Sequence, residues 1–210
     1  MLKHGFIILA AVLLCGCMQN RQLSNANDTT IYQSNIADTT GDKPVSPVRL
    51  IVPGQSIGDI SIDENADSVI DMLGKPDAGD AAMGKSIATW YKKRGTITDQ
   101  IQIYCERRMG TDSGISKIKI IRITSPGFKT MDYMSTDMHL QTIKSKKEFN
   151  LVEIGQYREN DKQYFIYDDN NAGIAFEVDR KNMCTGIIVH DPVKNIIAAV
   201  LAFHSKLVNK

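Results

Sequence analysis

Gly79-Asp80-Ala81-Ala82-Met83-Gly84-Lys85-Ser86 matches the phosphate-binding pattern G-x-x-x-x-G-K-[ST] letter for letter. That chemistry needs backbone N–H groups and a helix N-terminus around the phosphate, so the segment must stand between a strand and a helix. Here a helical pattern precedes it, and Ile87 to Tyr91, β-branched and aromatic, reads as a strand after it. Tyr164 to Asp168 has the form of an apolar strand ending in a magnesium-binding aspartate, as do many strands that enter a turn. The expectation is therefore a glycine-bearing loop with Lys85 solvated and no nucleotide. Asp168, Asn170, Gly173 and Asp179 fall at positions one, three, six and twelve of a calcium loop. Ala172 stands at position five, where an oxygen ligand belongs, and strands rather than helices flank the segment. A hairpin is expected there instead.

The histidines offer less. His139, His190 and His204 show no ligand spacing, and no Cys-x-x-Cys occurs. His190 and Asp191 are sequence neighbours, which on a strand point to opposite faces. No G-x-S-x-G turn presents a serine nucleophile, and Ser56 and Ser125 have no evident base. No catalytic residue, metal site or cofactor is implied. A hydrolase with a site built from distant residues stands as the alternative to a binding protein; the N-terminal leader would place either in the cell envelope.

Cys17 follows a short leader. Lys3 is the basic start, Phe6 to Leu14 is an unbroken apolar run, and Cys15-Gly16-Cys17 closes it. The run is shorter than the roughly 20 residues that span a bilayer and has the size of a secretory h-region. Leu14, Gly16 and Cys17 resemble the bacterial lipobox, which implies cleavage before Cys17 and lipid on its thiol. Met18 follows in place of aspartate, and the sorting rule of such lipoproteins then implies the outer membrane, with the body facing the periplasm or the cell surface.

Cleavage removes Lys3 as the one charged side chain of the leader and leaves 24 basic against 24 acidic residues. A neutral chain argues against electrostatic capture of nucleic acid. It equally argues against a polybasic membrane patch, so the membrane is reached through the Cys17 lipid. Cys105 and Cys184 remain as free thiols. An exported chain makes them a candidate disulfide; the other reading is two buried cysteines acting as small hydrophobes.

Residues 18–48 are rich in Asn, Gln, Thr, Ser and Asp and cannot bury enough surface to offset ordering entropy. They read as a tether. The expected organisation is a signal peptide over 1–16, Cys17 and tether over 17–48, and a body over 49–210 with candidate halves 49–127 and 128–210. In the body, Asn65 caps a helical pattern through Val69, Met72 and Leu73, stopped by Gly74 and Pro76. Strand patterns follow at 87–92, 100–107 and 115–124. A second short helix near Leu140 and Ile143 precedes four strand candidates between 151 and 190. Asp191 and Pro192 read as the start of a last helix whose apolar stripe runs from Val193 to Val208. This order predicts an α+β fold: two similar helix-plus-antiparallel-sheet halves packed together, with a C-terminal helix. Trp90, Tyr91, Tyr164 and Tyr167 are adjacent or near-adjacent aromatics on strands, and so form a candidate interaction surface.

Pro53-Gly54, Ser56-Ile57-Gly58, Ile60, Ile62, Val69, Leu73-Gly74 and Pro76 resemble the opening of small bacterial lipoproteins of the SmpA/OmlA kind and of β-lactamase-inhibitor-protein-like domains. The usual Gly-Met-Ser/Thr lead into the helix is replaced by Ile62-Asp63-Glu64-Asn65. The resemblance implies a helix leading into an antiparallel sheet, and function through protein contacts. The expected function is a membrane-anchored envelope lipoprotein acting as a non-catalytic module that binds an envelope protein or cell-wall component.

Overall fold

The computed structural model describes residues 44–107, 114–146, 148–204 and 208–209; the leader, Cys17 and the tether before Pro44 lie outside them. A 3-10 turn at Pro47–Arg49 leads into β1 (Ile51–Val52), β2 (Ser56–Ile57) and β3 (Ile60–Ser61), which form a small antiparallel sheet. Helix α1 (Ala66–Leu73) starts where Asn65 Oδ1 accepts the Asp67 N–H at 3.2 Å and stops at Gly74, whose φ of 82° is cheap only for glycine. β4 (Ala78–Ala82), β5 (Lys85–Arg94), β6 (Ile97–Arg107) and β7 (Ser116–Ile123) follow. Then come α2 (Leu140–Ser145), β8 (Val152–Glu159), β9 (Lys162–Asp169), β10 (Ile174–Asp179), β11 (Cys184–His190), α3 (Ile197–Phe203) and β12 (Val208–Asn209).

The α+β expectation is overturned: the chain is mostly β. Nine strands make one antiparallel sheet in the order β12-β8-β9-β10-β11-β7-β6-β5-β4. The order helix-then-four-strands does occur twice along the chain. Its two runs meet edge to edge, however, where β11 pairs with β7 through Ile187 opposite Ile123 and Val189 opposite Ile121. They do not pack as separate layers. The helices are eight, six and seven residues long, too short to make a layer equal to the sheet. Strands win because Ile, Val, Tyr and Thr dominate the long segments and fit a pleated surface.

Each face of the sheet has its own core. One gathers Ile51, Val69, Ile103, Ile121, Ile143, Phe176 and Ile187 beneath the small sheet, α1 and α2. The other gathers Tyr104, Ile120, Tyr157, Ile166, Ile188, Ile196 and Val200 beneath α3. Cys105 and Cys184 both lie in the first core, buried and unbridged, so of the two readings the structure takes the apolar one. Burial pushes the Cys105 thiol up to about 12 and raises Cys184 as well.

The long final helix is also corrected. Val193 is 73% exposed, has a φ of 61°, and donates its N–H to Asn170 O at 2.7 Å, pinning the chain to the β9–β10 turn. The helix starts only at Ile197, whose N–H goes to Asn195 Oδ1 at 3.0 Å, and Val208 belongs to a strand paired with β8.

Candidate binding cleft

Trp90 is the anchor of the site. It lies on β5 facing the first core, and its indole N–H donates to Gly74 O at 2.8 Å, tying the end of α1 to the sheet. Three residues later Asp77 completes the connection. Its N–H reaches Thr89 O at 2.9 Å, and its Oδ2 accepts the Tyr91 N–H at 2.7 Å. Leu73-Gly74-x-Pro76 thus works as a bracket that holds the helix end open over Trp90.

The bracket leaves a cleft of about 590 Å³, lined by Ile57, Ile60, Leu73, Trp90, Ile101 and Phe128. That size is within the range of sites that bury most of a ligand. Val48, Met72 and Tyr91 also line it and are 52%, 47% and 48% exposed. The Arg49 guanidinium sits 4.9 Å from the Phe128 ring centroid. At the far end Arg94 grips the buried Asp99 with two hydrogen bonds of 3.0 and 3.2 Å. Lys75, Lys92 and Asp59 complete the rim.

Titratable residues of the second face are committed to one another. Arg122 donates to both Glu177 oxygens, at 2.8 and 2.5 Å, and also reaches Gln100 and Gln102 at 3.1 and 2.7 Å. His204 Nε2 meets Glu177 Oε1 at 2.8 Å, and its ring stacks on Tyr157 at 3.7 Å. Burial alone would raise the Glu177 carboxyl, but the charges of Arg122 and His204 outweigh it and hold the group well below the usual carboxylate range. His190 is buried with both ring nitrogens engaged, one at Asp168 Oδ1 (3.0 Å) and one at Asp191 O (2.8 Å). Of these titratable groups His204 alone fastens the last segment to the sheet; none of them lines the Trp90 cleft, whereas His190 lines a second cleft.

A second cleft of about 690 Å³ lies beside β6 and β7, with Tyr104, Lys117, Lys119 and Lys194 on its walls. Two of its polar groups are held from within: Lys119 pairs with Asp63, and the Tyr104 hydroxyl donates to Glu106 at 3.0 Å. Burial and that neighbouring carboxylate push the Tyr104 phenol up to about 12.

The residues singled out by sequence separate. Trp90 and Tyr91 meet at the cleft. Tyr164 stacks on Tyr157 at 4.9 Å on the second face, whereas Tyr167 lies on the first, under Lys144 Nζ at 4.4 Å. Cys17 is outside the described residues. Gly79–Ser86 forms a hairpin through Met83 and Gly84 with Lys85 exposed, and no helix follows. In the calcium-like segment, Asp168 serves His190, Asp169 accepts from Asn150, Asn171 and Ala172, and Asp179 accepts from Lys181 and Met183. Among the described residues no group of three His, Cys, Asp or Glu could hold a metal ion. Phe128, Arg49 and Asp99 were missed, for they reach the cleft from distant segments with no local pattern. Arg122 and Glu177 did carry a signal: each is a charge set between large apolar neighbours, Ile121 and Ile123 on β7 and Phe176 and Val178 on β10.

No family model, curated protein or solved structure matches this chain, so its own cleft and residues carry the functional reading.

Proposed function

We propose that this chain is a lipid-anchored envelope protein of the outer membrane whose body is a non-catalytic module, binding an envelope protein or cell-wall component through the Trp90 cleft. One observation carries it. Three large apolar side chains, Val48, Met72 and Tyr91, are left half-exposed around a single cavity floored by Trp90 and Phe128. An exposed apolar rim around aromatic anchors is the anatomy of a surface that another molecule covers. The hydrolase alternative gains no support from the histidines: His190 and His204 are buried in carboxylate pairs, and His139 Nδ1 caps α2 by accepting the Gln141 N–H at 3.2 Å. The membrane part of the proposal rests on the leader and Cys17. None of the described helices is long and apolar enough to cross a membrane.

Photocrosslinking in intact cells tests the cleft. A photoreactive residue at Met72, on the rim, should give a discrete adduct; one at Met83, 95% exposed at a hairpin tip, should not. Adducts at both positions, or at neither, would remove the reading.

A further inference from the structure

Strand β5 outruns its outer neighbour. β4 pairs with Lys85–Thr89 only, whereas β6 pairs with all ten residues up to Arg94. Among the described residues, no strand lies outside Trp90–Arg94. Backbone groups of alternate residues point to the same side of a strand. Thr89 O and the Tyr91 N–H point outward and are both taken by Asp77, whose carboxylate stands where a neighbouring strand's carbonyl would. By the same alternation the Tyr91 C=O and the N–H and C=O of Lys93 face out with no strand to meet them. Such an edge is a template for another chain.

The open edge borders the cleft, since Trp90, Tyr91 and Lys92 line it. It is also electropositive. Lys75, Lys92 and Lys93 form no ion pair among the described residues and outnumber the Asp59 and Asp77 carboxylates, which keep their charge, while Asp99 is paired with Arg94. A second copy of this chain is a poor occupant, because symmetric pairing would set Lys92 and Lys93 against their own copies.

On the reading that the cleft is the binding surface, we propose that this edge accepts an extended segment of a partner protein as an added strand. The segment's backbone would meet Tyr91 and Lys93, an apolar side chain would enter the cleft beside Trp90, and flanking carboxylates would face Lys75, Lys92 and Lys93. Backbone bonds then supply affinity and the pocket supplies specificity.

The test uses the full mature chain in detergent, read by fluorescence anisotropy. Three labelled peptides serve as probes: Glu-Glu-Thr-Phe-Thr-Glu-Glu, which sets a carboxylate on each face at both ends, the same core with Lys in place of each Glu, and the first peptide N-methylated at alternate residues. The Glu-flanked peptide should bind best, with the other two weaker by about tenfold or more. Lys93→Pro should weaken the Glu-flanked peptide by about tenfold with the thermal midpoint unmoved, because the Lys93 N–H makes no bond within the sheet. Binding undiminished by N-methylation, measured on the wild type and so independent of how the variant folds, would overturn strand addition and leave the cleft reading intact. Failure of all three peptides to bind would also overturn it, and the Met72 crosslink then judges the cleft reading by itself.

Discussion

Glu177 on β10 faces Gly186 on β11, and a Cβ placed on Gly186 would lie 2.2 Å from Glu177 Oε2. The missing side chain is the space in which a fully buried carboxylate turns toward Arg122. An unpaired charge in that position would cost several kcal/mol, and removing one partner of a buried pair is more damaging than never having built it. Gly186, Arg122 and Glu177 therefore act as one unit, to which His204 fastens the end of the chain.

Gly186→Ala should destabilise the body by about 1–3 kcal/mol, the cost of forcing extra volume into a packed site. Urea unfolding of the chain from Pro44 onward measures it. An unmoved midpoint would mean that the carboxylate does not need this space.

Acid should weaken the fold through the same residue. Unfolded, Glu177 titrates near the ordinary value of about 4.3; folded, Arg122 and His204 outweigh the effect of burial and keep it ionised well below that. Below about pH 5 the unfolded chain takes up a proton that the folded chain refuses, so the stabilisation is present above that range and fades as pH falls. Glu177→Gln should flatten this acid limb in urea titrations run across it. The same variant should cost about 3–5 kcal/mol at neutral pH, because Arg122 is left buried without its counter-charge. An acid limb identical to the wild type would place the titration elsewhere.

The last helix separates two neighbouring isoleucines. Ile196 is 3% exposed in the second core, whereas Ile197 is only partly buried. Ile196→Ala should cost about 2–5 kcal/mol as a buried large-to-small change, and Ile197→Ala clearly less. Equal losses in urea would show that Ile197 is buried as fully as Ile196, against this placement.

That helix marks the limit of what periodicity reveals. The apolar stripe from Val193 to Val208 is real, but the Val193 bond to Asn170 and the pairing of Val208 with β8 cut it at both ends. Tertiary contacts decided, and no local signal announced them. β5, β6 and β7 were legible because β-branched and aromatic residues fill them. β4 was not: Ala-Gly-Asp-Ala-Ala has no strand preference and is extended only because β5 pairs with it. At the site, Trp90 and Tyr91 stood out by type, and Leu73-Gly74-x-Pro76 announced the end of α1 but not its tie to Trp90. Asp99 and Phe128 join them through sheet register and a loop crossing, which a linear pattern does not encode.

Membrane residence should depend on Cys17. Cys17→Ser should leave unprocessed precursor and abolish labelling by a fatty-acid probe. Unchanged labelling would remove the anchor. Wild-type protein recovered in the inner membrane would remove the outer-membrane assignment alone.

The Gly79–Ser86 segment should bind no nucleotide, because its glycines and Met83 already have structural tasks and Lys85 stands on a strand. Gly79 faces β5 so closely that a Cβ would lie 2.6 Å from Ile87 O. Gly84, with a φ of 77°, and Met83, with a φ of 50°, form the two-residue turn that the twist of a hairpin demands. Lys85 is exposed at the start of β5, and the backbone runs on as strand, so no helix N-terminus stands ready for phosphate. Lys85→Ala should therefore leave stability unchanged within about 0.5 kcal/mol. Gly79→Ala should loosen β4, seen as faster amide exchange across Ala78–Ala82. ATP with magnesium should not shift the thermal midpoint of the wild type. Ligand at 1,000 times its dissociation constant would add about 4 kcal/mol, so a real site could not escape detection. A clear shift that disappears in Lys85→Ala would overturn the hairpin reading.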